Sequence, residues 1–86
     1  MPEISRFLGI INAMYYKEHN PPHFHAKYGG RTGVFSIEDL SLLEGRLPKR
    51  VISIVLEWSF EHRKELLADW QLARARKPLR KIRPLT

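Results

Sequence analysis

At 86 residues, with 43% hydrophobic and 28% charged side chains, the chain has room for one domain around a single core, and no stretch approaches the roughly 20 apolar residues of a membrane span. Cysteine is absent, which excludes disulfides, thiolate nucleophiles and cysteine-bearing zinc sites and leaves His, Asp and Glu as metal ligands. The net charge of +6 is uneven: residues 1–73 carry nine acidic and nine basic groups, and the whole surplus comes from Arg74, Arg76, Lys77, Arg80, Lys81 and Arg83, a segment suited to attract nucleic acid or an acidic protein, or simply to keep a small protein soluble.

The opening Met1-Pro2-Glu3-Ile4-Ser5-Arg6 has no basic stretch followed by an apolar run, so it does not read as a secretory signal and a cytoplasmic location is expected. Phe7 to Tyr16 is rich in strand formers, with Gly9 as a bulge or bend. Lys17 to Pro22 is a connection, because Asn20-Pro21-Pro22 cannot continue a ladder. Gly29-Gly30, between two strand-like runs, predicts a two-residue type I′ hairpin with positive φ at both glycines. If Tyr28 sits opposite Arg31, Phe24 faces Phe35 and Ala26 faces Gly33 on an apolar side. His23 then faces Ser36, His25 faces Val34 and Lys27 faces Thr32 on a largely polar one. Glu38 to Glu44 is expected to add a short strand.

Near Gly45 the composition changes from strand-like to helical. Val51, Val55, Trp58, Leu66, Leu67, Trp70 and Ala73 recur at three- and four-residue spacing, which predicts one long helix or two successive ones, with Pro48 in the first turn and any break at Ser59 to Arg63. The two tryptophans read as core anchors. Pro78 and Pro84 keep the basic tail extended. The expected fold is therefore α+β: an antiparallel sheet of three or four strands, covered on one face by the helical segment, with a basic C-terminal arm. In a single domain, residues 1–46 are mainly strands, 47–76 helical and 77–86 an extended tail.

Three of the four histidines fall in His19-Asn20-Pro21-Pro22-His23-Phe24-His25. On a strand, His23 and His25 project from one face with Cβ atoms about 7 Å apart, close enough to converge on one ion or one phosphate. One reading makes them a catalytic base and acid for phosphodiester cleavage without a cofactor, with Lys27 and Arg31 stabilising phosphate. Another makes them ligands of zinc or a similar divalent metal, with a third ligand from His19 or from a Glu or Asp elsewhere. A purely structural role is the plain alternative. His62, beside Glu61, reads as a satisfied surface or interface residue. Arg46, Lys49 and Arg50 crowd cations at a helix start, and the macrodipole disfavours Lys49 and Arg50 in its first turn by a few tenths to about 1 kcal/mol each. A bound phosphate would relieve this, and so would Glu44 and solvent screening.

The segments Pro2-Glu3-Ile4-Ser5-Arg6-Phe7, Met14-Tyr15-Tyr16, Pro21-Pro22-His23-Phe24-His25-Ala26, Leu47-Pro48, Glu57-Trp58 and Leu66-Leu67-Ala68-Asp69-Trp70 resemble the bacterial domain-of-unknown-function family DUF4160 over nearly the whole chain. Asn12 stands where an aliphatic residue is expected. The resemblance implies a small cytoplasmic prokaryotic protein, often encoded beside a second, more acidic small protein in the manner of toxin and antitoxin pairs, and it brings no catalytic residues. Three functions follow as expectations. The first is a toxin-like component acting on RNA through His23 and His25, with Arg74, Arg76, Lys77, Arg80, Lys81 and Arg83 guiding nucleic acid or the acidic partner. The second is a non-enzymatic module binding nucleic acid or protein through the tail and Arg46, Lys49 and Arg50. The third is a metal-binding protein using His19, His23 and His25. Self-association as a homodimer stays open.

Overall fold

The computed structural model describes residues 2–16 and 18–85. Five strands run in sequence order as an antiparallel meander: β1 (Glu3–Phe7), β2 (Ile10–Ala13), β3 (His23–Tyr28), β4 (Arg31–Ser36) and β5 (Ser41–Gly45). Two helices follow, α1 (Lys49–Glu61) and α2 (Arg63–Arg74). This is the expected α+β architecture with five strands in place of three or four. The difference arises at Leu8-Gly9, where φ is 49° and 78°. Positive φ at both central residues is the type I′ condition, so the run expected as one strand folds back on itself, and Phe7 pairs with Ile10. At the Gly29-Gly30 turn only Gly29 is left-handed, which departs from the expected type I′ geometry without altering the strand pairing.

That pairing matches the expected register at every position from Tyr28↔Arg31 to His23↔Ser36. Phe24, Ala26 and Phe35 are fully buried, as are Ile10 on β2 and Trp58 on α1. The Trp58 ring lies 5.3 Å from that of Phe7 and 5.7 Å from that of Phe24, so the helices cover this face. The break between α1 and α2 falls at His62, inside the expected interval; its N–H still donates to the Trp58 carbonyl and its carbonyl accepts from Leu66. Gly45, at φ 90°, closes β5 where a Cβ would collide with the Thr32 carbonyl, so no other residue fits there without rearrangement. Asn12 is fully buried on the core side and neither side-chain polar atom has a partner.

The tail lacks regular structure, as expected, but it is not a free arm. Ile82 is buried and its N–H donates to the Ile4 carbonyl at 2.7 Å. The Arg83 carbonyl accepts from Trp58 Nε1 at 2.9 Å, and the Arg80 N–H donates to Asp69 Oδ1 at 3.0 Å. Leu79 and Leu85 pack against the core beside Ile82. These apolar residues recur every third position, so the tail stays down while Arg76, Lys77, Arg80, Lys81 and Arg83 remain exposed. No helix among the described residues is long and apolar enough to cross a membrane.

Candidate functional site

Strand alternation decides which side chains share the face opposite the one that α1 covers. Phe24 and Ala26 take the inner face, so His23, His25 and Lys27 take the outer one. Ala13 lies opposite His25, and Tyr15, two residues further on, sets its ring edge-on to His25 with centroids 4.7 Å apart. The two imidazole centroids are 5.5 Å apart. His23 is flanked on its other side by Trp70 of α2, at 5.1 Å. Both histidine side chains keep contact with solvent, at 12% and 20% exposure. The rings are thus walled but reachable.

The connection preceding β3 completes the group. It contains a cis Asn20–Pro21 peptide bond and is tied to the C-terminal turn of α2 by Arg74 Nη1, which donates to Asn20 Oδ1 at 3.3 Å. From this segment Glu18 reaches both imidazoles: its Oε1 is 3.0 Å from His25 Nε2 and 3.7 Å from His23 Nε2. His23 Nδ1 lies 2.7 Å from the Pro21 carbonyl. A carbonyl can only accept, so Nδ1 carries the proton and the Nε2 lone pair of a neutral ring faces Glu18. His25 Nε2 donates to the carboxylate, which leaves its Nδ1 as the acceptor. One ligand atom each from Glu18, His23 and His25 lies within 4.8 Å of the others.

Glu18 is thus the third group beside the two imidazoles; His19 is exposed and stands outside this group. Lys27 shares the outer face one strand repeat beyond His25. Arg31 does not join them, because it pairs with Tyr28 at the far end of the hairpin, in the alternation of Phe24 and Ala26. Arg46, Lys49 and Arg50 are exposed around the start of α1, which has no side-chain cap and no acidic residue in its first turn. Arg50 borders a shallow groove with Leu8, Tyr28 and Ile54, apart from the histidines. Of the cations grouped with the tail, Arg74 ends α2 and holds Asn20 in the segment before β3, Lys81 sits 3.9 Å from Glu3, and Arg76, Lys77, Arg80 and Arg83 are exposed along the docked path. His62 is satisfied, as expected, with its Nδ1 2.7 Å from Glu65 Oε1.

No curated protein and no solved structure matches the chain. The family described as a domain of unknown function (DUF4160) matches residues 9–71, a span running from the first hairpin turn through Glu18, His23 and His25 to the residue after Trp70. The chain therefore belongs to the DUF4160 family.

Proposed function

We propose that this chain is the toxin-like, basic component of a prokaryotic two-gene module and that it acts on RNA at the imidazole–carboxylate face. The observation that carries the reading is the complementary preparation of the two rings. Glu18 holds His25 so that Nδ1 is free to accept a proton, and the Pro21 carbonyl holds His23 so that Nε2 is free. Cleavage of a ribose phosphodiester needs one base for the 2′-hydroxyl and one acid for the departing 5′-oxygen. In this reading His25, oriented by Glu18, takes the hydroxyl proton, and His23 in its protonated form supplies the second. Lys27 on the same face adds positive charge for the phosphate. The exposed cations of Arg74 to Arg83 draw the polyanion toward the molecule, and an acidic partner protein seated on this face would block it.

Purified protein incubated with RNA in the presence of a chelator tests this directly. Cleavage by the wild type is expected to fall by about 100-fold or more in His25→Ala and in His23→Ala, the range typical of a lost acid or base. Equal rates for wild type and both variants would remove the proposal.

A further inference from the structure

We propose that Glu18, His23 and His25 form a binding site for a borderline divalent cation of the zinc class, with His19 taking no part. The inference concerns the same face as the proposed RNA chemistry but does not depend on RNA being the substrate.

Charge is the first argument. With both rings neutral, the carboxylate leaves the cluster with one net negative charge, which attracts a cation. His23 Nε2 lies 3.7 Å from carboxylate Oε1, two acceptors side by side when the ring is neutral, and a metal ion bound by both turns that repulsion into two bonds. Geometry is the second argument. Ligands about 2.1 Å from a tetrahedral zinc are about 3.4 Å from one another, and the two separations to Glu18, 3.0 and 3.7 Å, bracket that value. The widest pair, within 4.8 Å, needs to draw in by no more than about 1.4 Å. The third argument is the support around the rings. His23 donates its remaining N–H to the Pro21 carbonyl, the outer contact that metal-bound histidines characteristically make. Trp70 and Tyr15 hold the two ring planes.

Two imidazoles and one carboxylate select zinc, cobalt or ferrous iron over magnesium and calcium, which prefer all-oxygen shells. Three protein ligands leave at least one position for water, as in sites that do chemistry rather than hold a fold. The proton balance is simple. His25 gives up its Nε2 proton to solvent and takes one at Nδ1, so both rings bind as neutral imidazoles with no net proton change. The cluster then passes from one negative to one positive charge, and the outer face becomes complementary to a phosphodiester.

The test is titration of untagged full-length protein with zinc by calorimetry and with cobalt(II) by visible spectroscopy. One-to-one saturable binding is expected, with no detectable magnesium binding in the same range. Glu18→Gln, His23→Gln and His25→Gln should each weaken it by more than about tenfold, and His19→Ala should leave it unchanged. Imidazole nitrogen resonances of the wild type give a readout independent of variant folding: zinc should move Nε2 of His23 and His25 and leave His62 in place. Absence of saturable binding, equal weakening by His19→Ala, or a response at His62 alone would overturn the proposal. The metal titration contains no RNA and the RNA assay contains a chelator, so either reading can fail while the other stands.

Discussion

Among the described residues imidazoles meet a carboxylate in two places, at Glu18 and at Glu65, and each place leans on a tryptophan. His62 and Glu65 pair at 2.7 Å across the start of α2, with Trp58 5.8 Å from the His62 ring. His25 and Glu18 pair at 3.0 Å between a strand and the loop before it, with Trp70 beside the neighbouring His23. The helical pair is made by local chain geometry, since His62 is the residue that precedes α2 and Glu65 is the third residue of its first turn, a spacing that brings the two side chains together at a helix start. The sheet pair needs a strand, a preceding loop and a helix to meet, and strand alternation adds a second imidazole that the helix cannot supply. What separates a candidate site from a surface contact here is the number of donors that converge, not the presence of a histidine beside a glutamate.

The largest expected effect tests whether the two tryptophans play equivalent parts. Trp58→Ala and Trp70→Ala each remove a fully buried ring and should cost about 3–5 kcal/mol in denaturant unfolding. The comparison sharpens in zinc titrations at temperatures where both variants remain folded. Trp70→Ala frees the His23 ring and should weaken binding, whereas Trp58→Ala disturbs His62 and the Arg83 anchor and should leave affinity near the wild-type value. Equal losses of affinity would mean that Trp70 acts only through overall stability.

A smaller effect concerns how the helix that walls the site is held. Burial pushes the Asp69 carboxyl above its ordinary range; the Arg80 N–H bond opposes this, and the nearby Glu65 charge adds to it. One of its oxygens has no partner. A carboxyl whose folded value is raised binds more protons folded than unfolded, so its favourable contribution is complete below the unfolded value and is lost as pH rises through the folded one. Asp69→Asn should therefore flatten the fall in stability over that window, read as thermal midpoint against pH, while its side-chain oxygen still accepts from Arg80. A midpoint profile unchanged by the substitution would show that the Asp69 carboxyl binds protons alike in the folded and unfolded chains, and would overturn the burial argument.

The contrast between local and converging structure also explains what could be read before any coordinates. The β3–β4 register was legible because Gly29-Gly30 punctuates it and Phe24 and Ala26 alternate with His23 and His25. The α1–α2 break was legible because the apolar period lapses between Trp58 and Leu66. The first hairpin was not, since it puts Leu8 in a left-handed conformation that an exposed leucine does not advertise. Tail docking was hidden by charge: Leu79, Ile82 and Leu85 carry a three-residue apolar repeat that six cations obscured. Glu18 escaped notice for a different reason. A loop's path is set by distant contacts such as Arg74 to Asn20, so sequence could allow a third ligand near the histidines without saying that it was the residue before His19.

The smallest effect separates the two pairs most cleanly. Glu65 is half exposed, and exposed helical pairs contribute about 0.3–0.5 kcal/mol, so Glu65→Gln should lose no more than that at His62. The same change removes a like charge facing Asp69, which acts in the opposite direction. The two consequences come close to cancelling, and unfolding free energy should shift by under about 0.5 kcal/mol in either direction, with zinc affinity untouched. Glu18→Gln is the same chemical change on another imidazole partner, and it should be equally quiet in metal-free unfolding yet conspicuous in zinc titration. A helical variant that altered zinc binding as strongly as the loop variant would break the distinction, because it would place metal affinity in histidine–glutamate pairing as such and not in the meeting of Glu18 with two rings on one sheet face.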